Sequence, residues 1–164
     1  LHLLLEHLPD ITPAERPAIG AALLMHSPDQ AQPDEITELM DEACAVLDRA
    51  ENAAIFAQGT LAEVPITARL QQLGGRHIHG VIDRLVVSGE TVLAVDFKSN
   101  HLVPDDPGAI PDGLLRQLGA YGAALQQIYP AHDIQTAILW TRSAVLMPVA
   151  HDLVMAALDR AGQP

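Results

Sequence analysis

The sequence predicts an α/β fold: a mixed central sheet of about five strands flanked by helices, with a helical N-terminal segment. Three observations predict it. Apolar residues recur at intervals of three and four through residues 1 to about 60. Runs of period two, rich in β-branched residues, take over after Gln58-Gly59, and helical spacing returns on both sides of a later strand-like run. With 164 residues and 49% hydrophobic content the chain can bury one sizeable core. Residues 1–164 therefore read as a single domain, with a helical lead-in over 1–60 and a core over 61–164.

The first apolar stripe is Leu1, Leu4, Leu5 and Leu8, with no capping residue ahead of it, and turn-like breaks follow at Pro9-Asp10 and Ser27-Pro28-Asp29. The clearest helix runs from Asp34 to Arg49. Pro33 and Asp34 suit its start; Ile36, Leu39, Met40, Ala43 and Leu47 form its apolar stripe, and Glu35, Glu38, Asp41, Glu42 and Asp48 its solvated face. Strands are expected at Leu61 to Leu70, His77 to Val87 and Thr91 to Phe97, the last two joined by the compact turn Ser88-Gly89-Glu90 as an antiparallel hairpin. A loop rich in Pro, Asp and Gly spans Ser99 to about Pro111. Asp112 to Ile128 reads as a helix, Ile134 to Trp140 and Ala144 to Val149 as strands, and Asp152 to Arg160 as a closing helix. Cys44 and Trp140 read as core residues.

Composition excludes several classes. The single cysteine rules out an internal disulfide framework, a cysteine-rich zinc module and a cysteine-ligated iron–sulfur cluster within this chain. A formal charge of -12 argues against holding nucleic acid by net charge. The acidity is uneven: residues 1–62 carry 11 acids and 2 bases, and residues 63–164 carry 10 acids and 7 bases. No apolar run approaches the roughly 18 to 20 residues that span a bilayer, and no signal peptide opens the chain, so a cytoplasmic protein with no membrane partner is expected. A start at Leu1, directly in a helical pattern, reads as a piece of a longer polypeptide.

Chemistry concentrates in the hairpin, where charges interrupt apolar strands: Asp83 within Gly80-Val81-Ile82-Asp83-Arg84-Leu85, and Asp96 and Lys98 within Val95-Asp96-Phe97-Lys98. Alternation puts Asp96 and Lys98 on one side and Phe97 on the other, and Asp83 can be brought to the side of Asp96. Two carboxylates held together away from solvent repel, and a divalent cation with a taste for hard oxygen ligands, magnesium or manganese, relieves that repulsion. Strand chemistry alone equally allows a structural Asp96–Lys98 salt bridge, or Asp83 paired with Arg84.

An Asp, a hairpin turn, then Asp, any residue and Lys resembles the signature of the PD-(D/E)XK nuclease superfamily. Three further matches resemble its RecB-like branch: His2 in the opening helical run, Glu63 in Ala62-Glu63-Val64-Pro65-Ile66, and Gln117 with Tyr121, four apart on one helical face. Within that branch the motifs look most like the C-terminal nuclease domain of AddA-type subunits of bacterial helicase-nucleases. Phe97 and Ser99 stand where Tyr and Thr are more usual.

The resemblance implies a restriction-endonuclease-like fold and a bacterial, magnesium-dependent deoxyribonuclease of exonuclease type, with manganese able to substitute. It implies single-stranded DNA as substrate, and a helicase part of the same polypeptide and an AddB-type subunit as partners in recombinational repair. Asp83, Asp96 and Lys98 would be catalytic; His2, Asp83, Asp96 and the backbone carbonyl of Phe97 would bind the metal; Gln117 and Tyr121 would position substrate or lysine. Glu63 stands either beside the metal or as a partner for Arg69. His77 and His79 alternate like a zinc pair, but the family pattern does not use them. A nuclease-like module that docks without cutting is the alternative function.

Overall fold

The computed structural model describes residues 1–27, 31–100 and 103–162. Three helices open it: α1 (His2–His7), α2 (Arg16–Met25) and α3 (Pro33–Asp48). Leu4, Leu5 and Leu8 are fully buried, as the opening stripe predicts, and α1 starts without a side-chain cap. The start of α3 is set by a capping box, in which the Gln32 side chain accepts from the Glu35 amide and the Glu35 carboxylate accepts from the Gln32 amide. Of the turn expected at Ser27-Pro28-Asp29, only Ser27 lies within the described residues, and His101 and Leu102 of the loop after Ser99 also lie outside them.

Beyond a 3-10 segment at Ala50–Phe56, which period-three spacing had not separated from helix, come β1 (Leu61–Leu70), β2 (Arg76–Ser88) and β3 (Thr91–Lys98). The β2–β3 turn is tight because Gly89 takes a φ of 57°, leaving Ser88 paired with Thr91 across a two-residue connection. Helix α4 (Asp112–Ile128) crosses to β4 (Asp133–Trp140), and β5 (Val145–Val149) and α5 (His151–Gly162) close the fold. The sheet order is β1-β2-β3-β4-β5, parallel between β3 and β4 and antiparallel elsewhere. This is the five-strand mixed sheet the sequence predicts.

Each sheet face buries its own core. Val95, Phe97, Ala137 and Leu139 pack against Leu4, Leu5, Leu8, Met40, Ala43 and Val46 of the leading helices. On the other face Val92, Ala94 and Ile134 meet Tyr121, Ala124 and Leu125 of α4 and Leu158 of α5, beside a third cluster around Ile138 and Trp140. Trp140 is the core anchor expected, whereas Cys44 is only partly buried at the edge of the first cluster. Helices α4 and α5 approach closely at Gly119, where a Cβ would meet the Val154 carbonyl oxygen at 2.4 Å. No helix among the described residues is long and apolar enough to cross a membrane.

Candidate active site

The strand register explains why the site lies where it does. Pairs Ala62↔Arg84 and Val64↔Ile82 flank Glu63 and Asp83, and Arg84↔Val95 is the last β2–β3 pair before Asp83 and Asp96 would face each other. Three carboxylates thus stand in one row across three adjacent strands, and the pairing breaks at that row. Glu63 has a φ of 49°, a left-handed conformation that costs a non-glycine residue about 1 to 2 kcal/mol.

Side-chain alternation also slips there. Ile82 and Leu85 belong to the α4 side of the sheet, yet Arg84 lies between them on the leading-helix side, donating to the Leu5 carbonyl with its guanidinium 4.9 Å over the Phe56 ring. The slip sets Asp83 in the gap between β2 and β3, where its Oδ2 accepts from the Phe97 amide at 2.5 Å, replacing a ladder hydrogen bond with a side chain. The Asp83–Arg84 ion pair allowed by strand chemistry is therefore not the arrangement found.

Two groups of side chains meet at this gap. On one side His2 Nδ1 lies 3.2 Å from Asp83 Oδ1 and 3.6 Å from Glu63 Oε1. Arg69 turns away from Glu63 and donates to the Gly75 carbonyl instead, so Glu63 belongs to this cluster. On the α4 side Lys98 Nζ is 2.5 Å from Asp96 Oδ2, and Gln117 Nε2 donates to Asp96 Oδ1 at 2.9 Å. Gln117 also donates to the Tyr121 hydroxyl, which in turn donates to the Val81 carbonyl at 2.7 Å. Asp96 and Lys98 share a face, and Phe97 points into the leading-helix core with its ring centroid 5.6 Å from that of His2.

Burial sharpens the electrostatics. Asp83 is 8% exposed and Asp96 3%. Burial raises the Asp96 pKa, with Lys98 opposing it and the Asp83 charge adding to it. Burial raises Glu63 as well, followed by the Asp83 charge. His2 is raised above its ordinary value chiefly by its hydrogen bond to Asp83, with burial opposing. Glu63, Asp96 and His2 thus hold protons more tightly than they would in free solution, beside a third carboxylate in a small volume, an arrangement that a cation would relieve.

The donor set fits a divalent metal. One atom each from His2, Glu63 and Asp83 lie within 4.8 Å of one another, the one such cluster among the described residues. Carboxylate oxygens suit magnesium or manganese, and the imidazole suits manganese better. Asp96 lies across the gap, already held by Lys98 and Gln117. His77 and His79 are exposed on β2, and His79 bonds to the Thr67 hydroxyl.

Sequence reasoning missed Gly80. A Cβ there would stand 2.9 Å from Tyr121 Cε1, so the glycine makes the space in which the Tyr121 ring reaches β2. The available signal was a glycine inside a β-branched strand, which marks a close approach.

Sheet order, crossover helix and an acidic gap at the β2–β3 fork define a restriction-endonuclease-like α/β domain. The chain matches the PD-(D/E)XK nuclease superfamily over residues 1–149, and it belongs to that superfamily. No curated protein matches it. Membership implies a metal-dependent nuclease acting on DNA.

Proposed function

We propose that this domain is a magnesium-dependent deoxyribonuclease that hydrolyses phosphodiester bonds at single-stranded ends, and that it serves as the nuclease part of an AddA-type helicase-nuclease. The observation that carries the reading is the row Glu63, Asp83 and Asp96 at the fork of β2 and β3, with Lys98 2.5 Å from Asp96. His2, Glu63, Asp83 and Asp96, with the Phe97 carbonyl, are the residues that would hold the cation. When bound, such a cation polarises the scissile phosphate and lowers the pKa of a water.

Lys98, on the unpaired side of Asp96, donates from Nζ to the attacking water and to the phosphoryl oxygens, offsetting the charge that grows on them. Asp96 holds the Lys98 ammonium in place, and Gln117 fixes the Asp96 carboxylate so that this pair is set before substrate arrives. Tyr121 anchors Gln117 to the β2 backbone. The products carry a 5′-phosphate and a 3′-hydroxyl. The motor of the same polypeptide and an AddB-type subunit would deliver the strand.

The test is cleavage of a 5′-labelled dT20 oligonucleotide in magnesium by the parent, Asp96→Ala and Lys98→Ala proteins, each checked for its fold by circular dichroism. Both variants should keep the fold and lose about a hundredfold or more in rate. Undiminished cleavage by either one rejects the assignment, and no cleavage by the parent leaves the docking module.

A further inference from the structure

Strand β2 outruns its inner neighbour. It pairs with β3 only from Arg84 to Ser88, while residues 76–82 pair with β1 alone, so the two strands project past the fork as a ribbon. One side of the ribbon is core: Ile66, Leu70 and Ile82 are buried, with Ala68 and Ile78 packed against them. The other side is solvent-facing and runs in register, Arg69↔His77, Thr67↔His79 and Pro65↔Val81, ending at Glu63 and Asp83. At about 3.3 Å per residue, His77 to Asp83 covers about 20 Å.

Its charge is unlike that of the rest of the molecule. In a chain of net charge -12, residues 64–82 contain no carboxylate, two arginines and two histidines. Among the described residues Arg16, Arg49, Lys98, Arg116 and Arg160 are in salt bridges, whereas Arg69, Arg76, Arg84 and Arg142 are in none; Arg84 is held by the Leu5 carbonyl and the Phe56 ring and Arg142 by the Ser99 carbonyl, which leaves Arg69 as the cation of this face. The Arg69 guanidinium is oriented by its Nε bond to the Gly75 carbonyl at 2.7 Å, and the His79 ring by Thr67 at 3.1 Å. An imidazole offers an N–H in every protonation state and a guanidinium five, the donors a phosphodiester accepts. Pro65 withholds an amide from the open edge of β1, which disfavours an added protein strand there.

We propose that the outward face of this ribbon, formed by Arg69, His77, Thr67 and His79, is a sequence-independent track that holds the backbone of a single DNA strand leading into the Glu63–Asp83–Asp96 gap. The inference rests on the nuclease reading above and adds where the strand lies. The cationic far end attracts phosphates, while the acidic end repels every phosphate that a bound cation does not neutralise.

The test compares parent, Arg69→Gln and His77→Glu/His79→Glu proteins in two assays: fluorescence anisotropy with labelled dT20 in EDTA, and dT20 cleavage in magnesium. Arg69→Gln should weaken dT20 binding about threefold and the histidine pair about tenfold, each raising KM while leaving kcat within about twofold. Arg69→Gln should also flatten the dependence of log affinity on log salt by about 0.7, the value for one lost phosphate contact. Binding of dT20 by both variants as tight as by the parent, or a parent that does not bind dT20, overturns the track whether or not the protein cuts. Weakened binding by the variants with no cleavage by the parent keeps the track and removes the nuclease reading.

Discussion

Replacing Gly80 by alanine should injure both stability and cleavage, although alanine suits a strand interior better than glycine by about 0.5 to 1 kcal/mol. The new Cβ would stand 2.9 Å from Tyr121 Cε1 and 3.3 Å from its hydroxyl oxygen, so ring or strand must move. Tyr121 is 6% exposed and pinned at its far end to Val81 and Gln117, which leaves the ring nowhere to swing. Overpacking of this kind costs about 1 to 3 kcal/mol and a lost hydrogen bond about 1 kcal/mol more. The unfavourable effects win by about 2 kcal/mol, a fall of about 6 °C in Tm for a domain of this size. A displaced Tyr121 frees Gln117 from Asp96, and loss of that charge-assisted bond should slow dT20 cleavage about tenfold. Thermal melts and cleavage rates should be taken in the parent background and in Tyr121→Leu, where no ring remains to clash and Gly80→Ala becomes nearly neutral. An alanine variant as stable as the parent, or equal losses in both backgrounds, refutes the packing argument.

Gly119→Ala should cost about 2 to 3 kcal/mol despite a gain in helix propensity of about 1 kcal/mol, because its Cβ would meet backbone of α5 rather than a movable side chain; thermal melting checks this. Glu63→Gly should raise the Tm of the metal-free protein by about 3 °C by relieving a left-handed backbone, while manganese affinity measured by calorimetry falls. In EDTA, stability should decline as pH rises. His2, Glu63 and Asp96 all bind protons more tightly folded than unfolded. Their contribution is full below the unfolded values, about 4 for the carboxylates and 6.5 for the imidazole, and is lost as pH climbs through the raised folded values. A Tm series between pH 5 and 8 reads this against a His2→Gln/Asp96→Asn variant, which should show a shallower decline, and saturating manganese should flatten the parent's curve.

The strands and helices were legible because their patterns are undiluted: the β-branched alternation of Thr91 to Phe97 and the 3.6-residue stripe of Asp112 to Ile128 each match one period. Ala50–Phe56 was not separable from α-helix, since Ile55 and Phe56 point inward at either pitch. Asp83, Asp96 and Lys98 stood out as charges within apolar strands, and Gln117 and Tyr121 could be named only through the resemblance to the RecB-like branch. Their partners could not. That Gln117 grips Asp96 depends on how α4 crosses the sheet. That Asp83 turns into the strand gap depends on the left-handed backbone at Glu63 and the slip of alternation beside Arg84, neither of which follows from a period-two pattern.

The central claim is that the fork of β2 and β3 is a divalent cation site. Calorimetric titration of manganese into the parent and into Asp83→Asn tests it most directly. The account predicts one-site binding by the parent and its loss in Asp83→Asn, with the far-ultraviolet circular dichroism of the two proteins alike. Equal binding heats in the two proteins, or no binding by the parent, would contradict it.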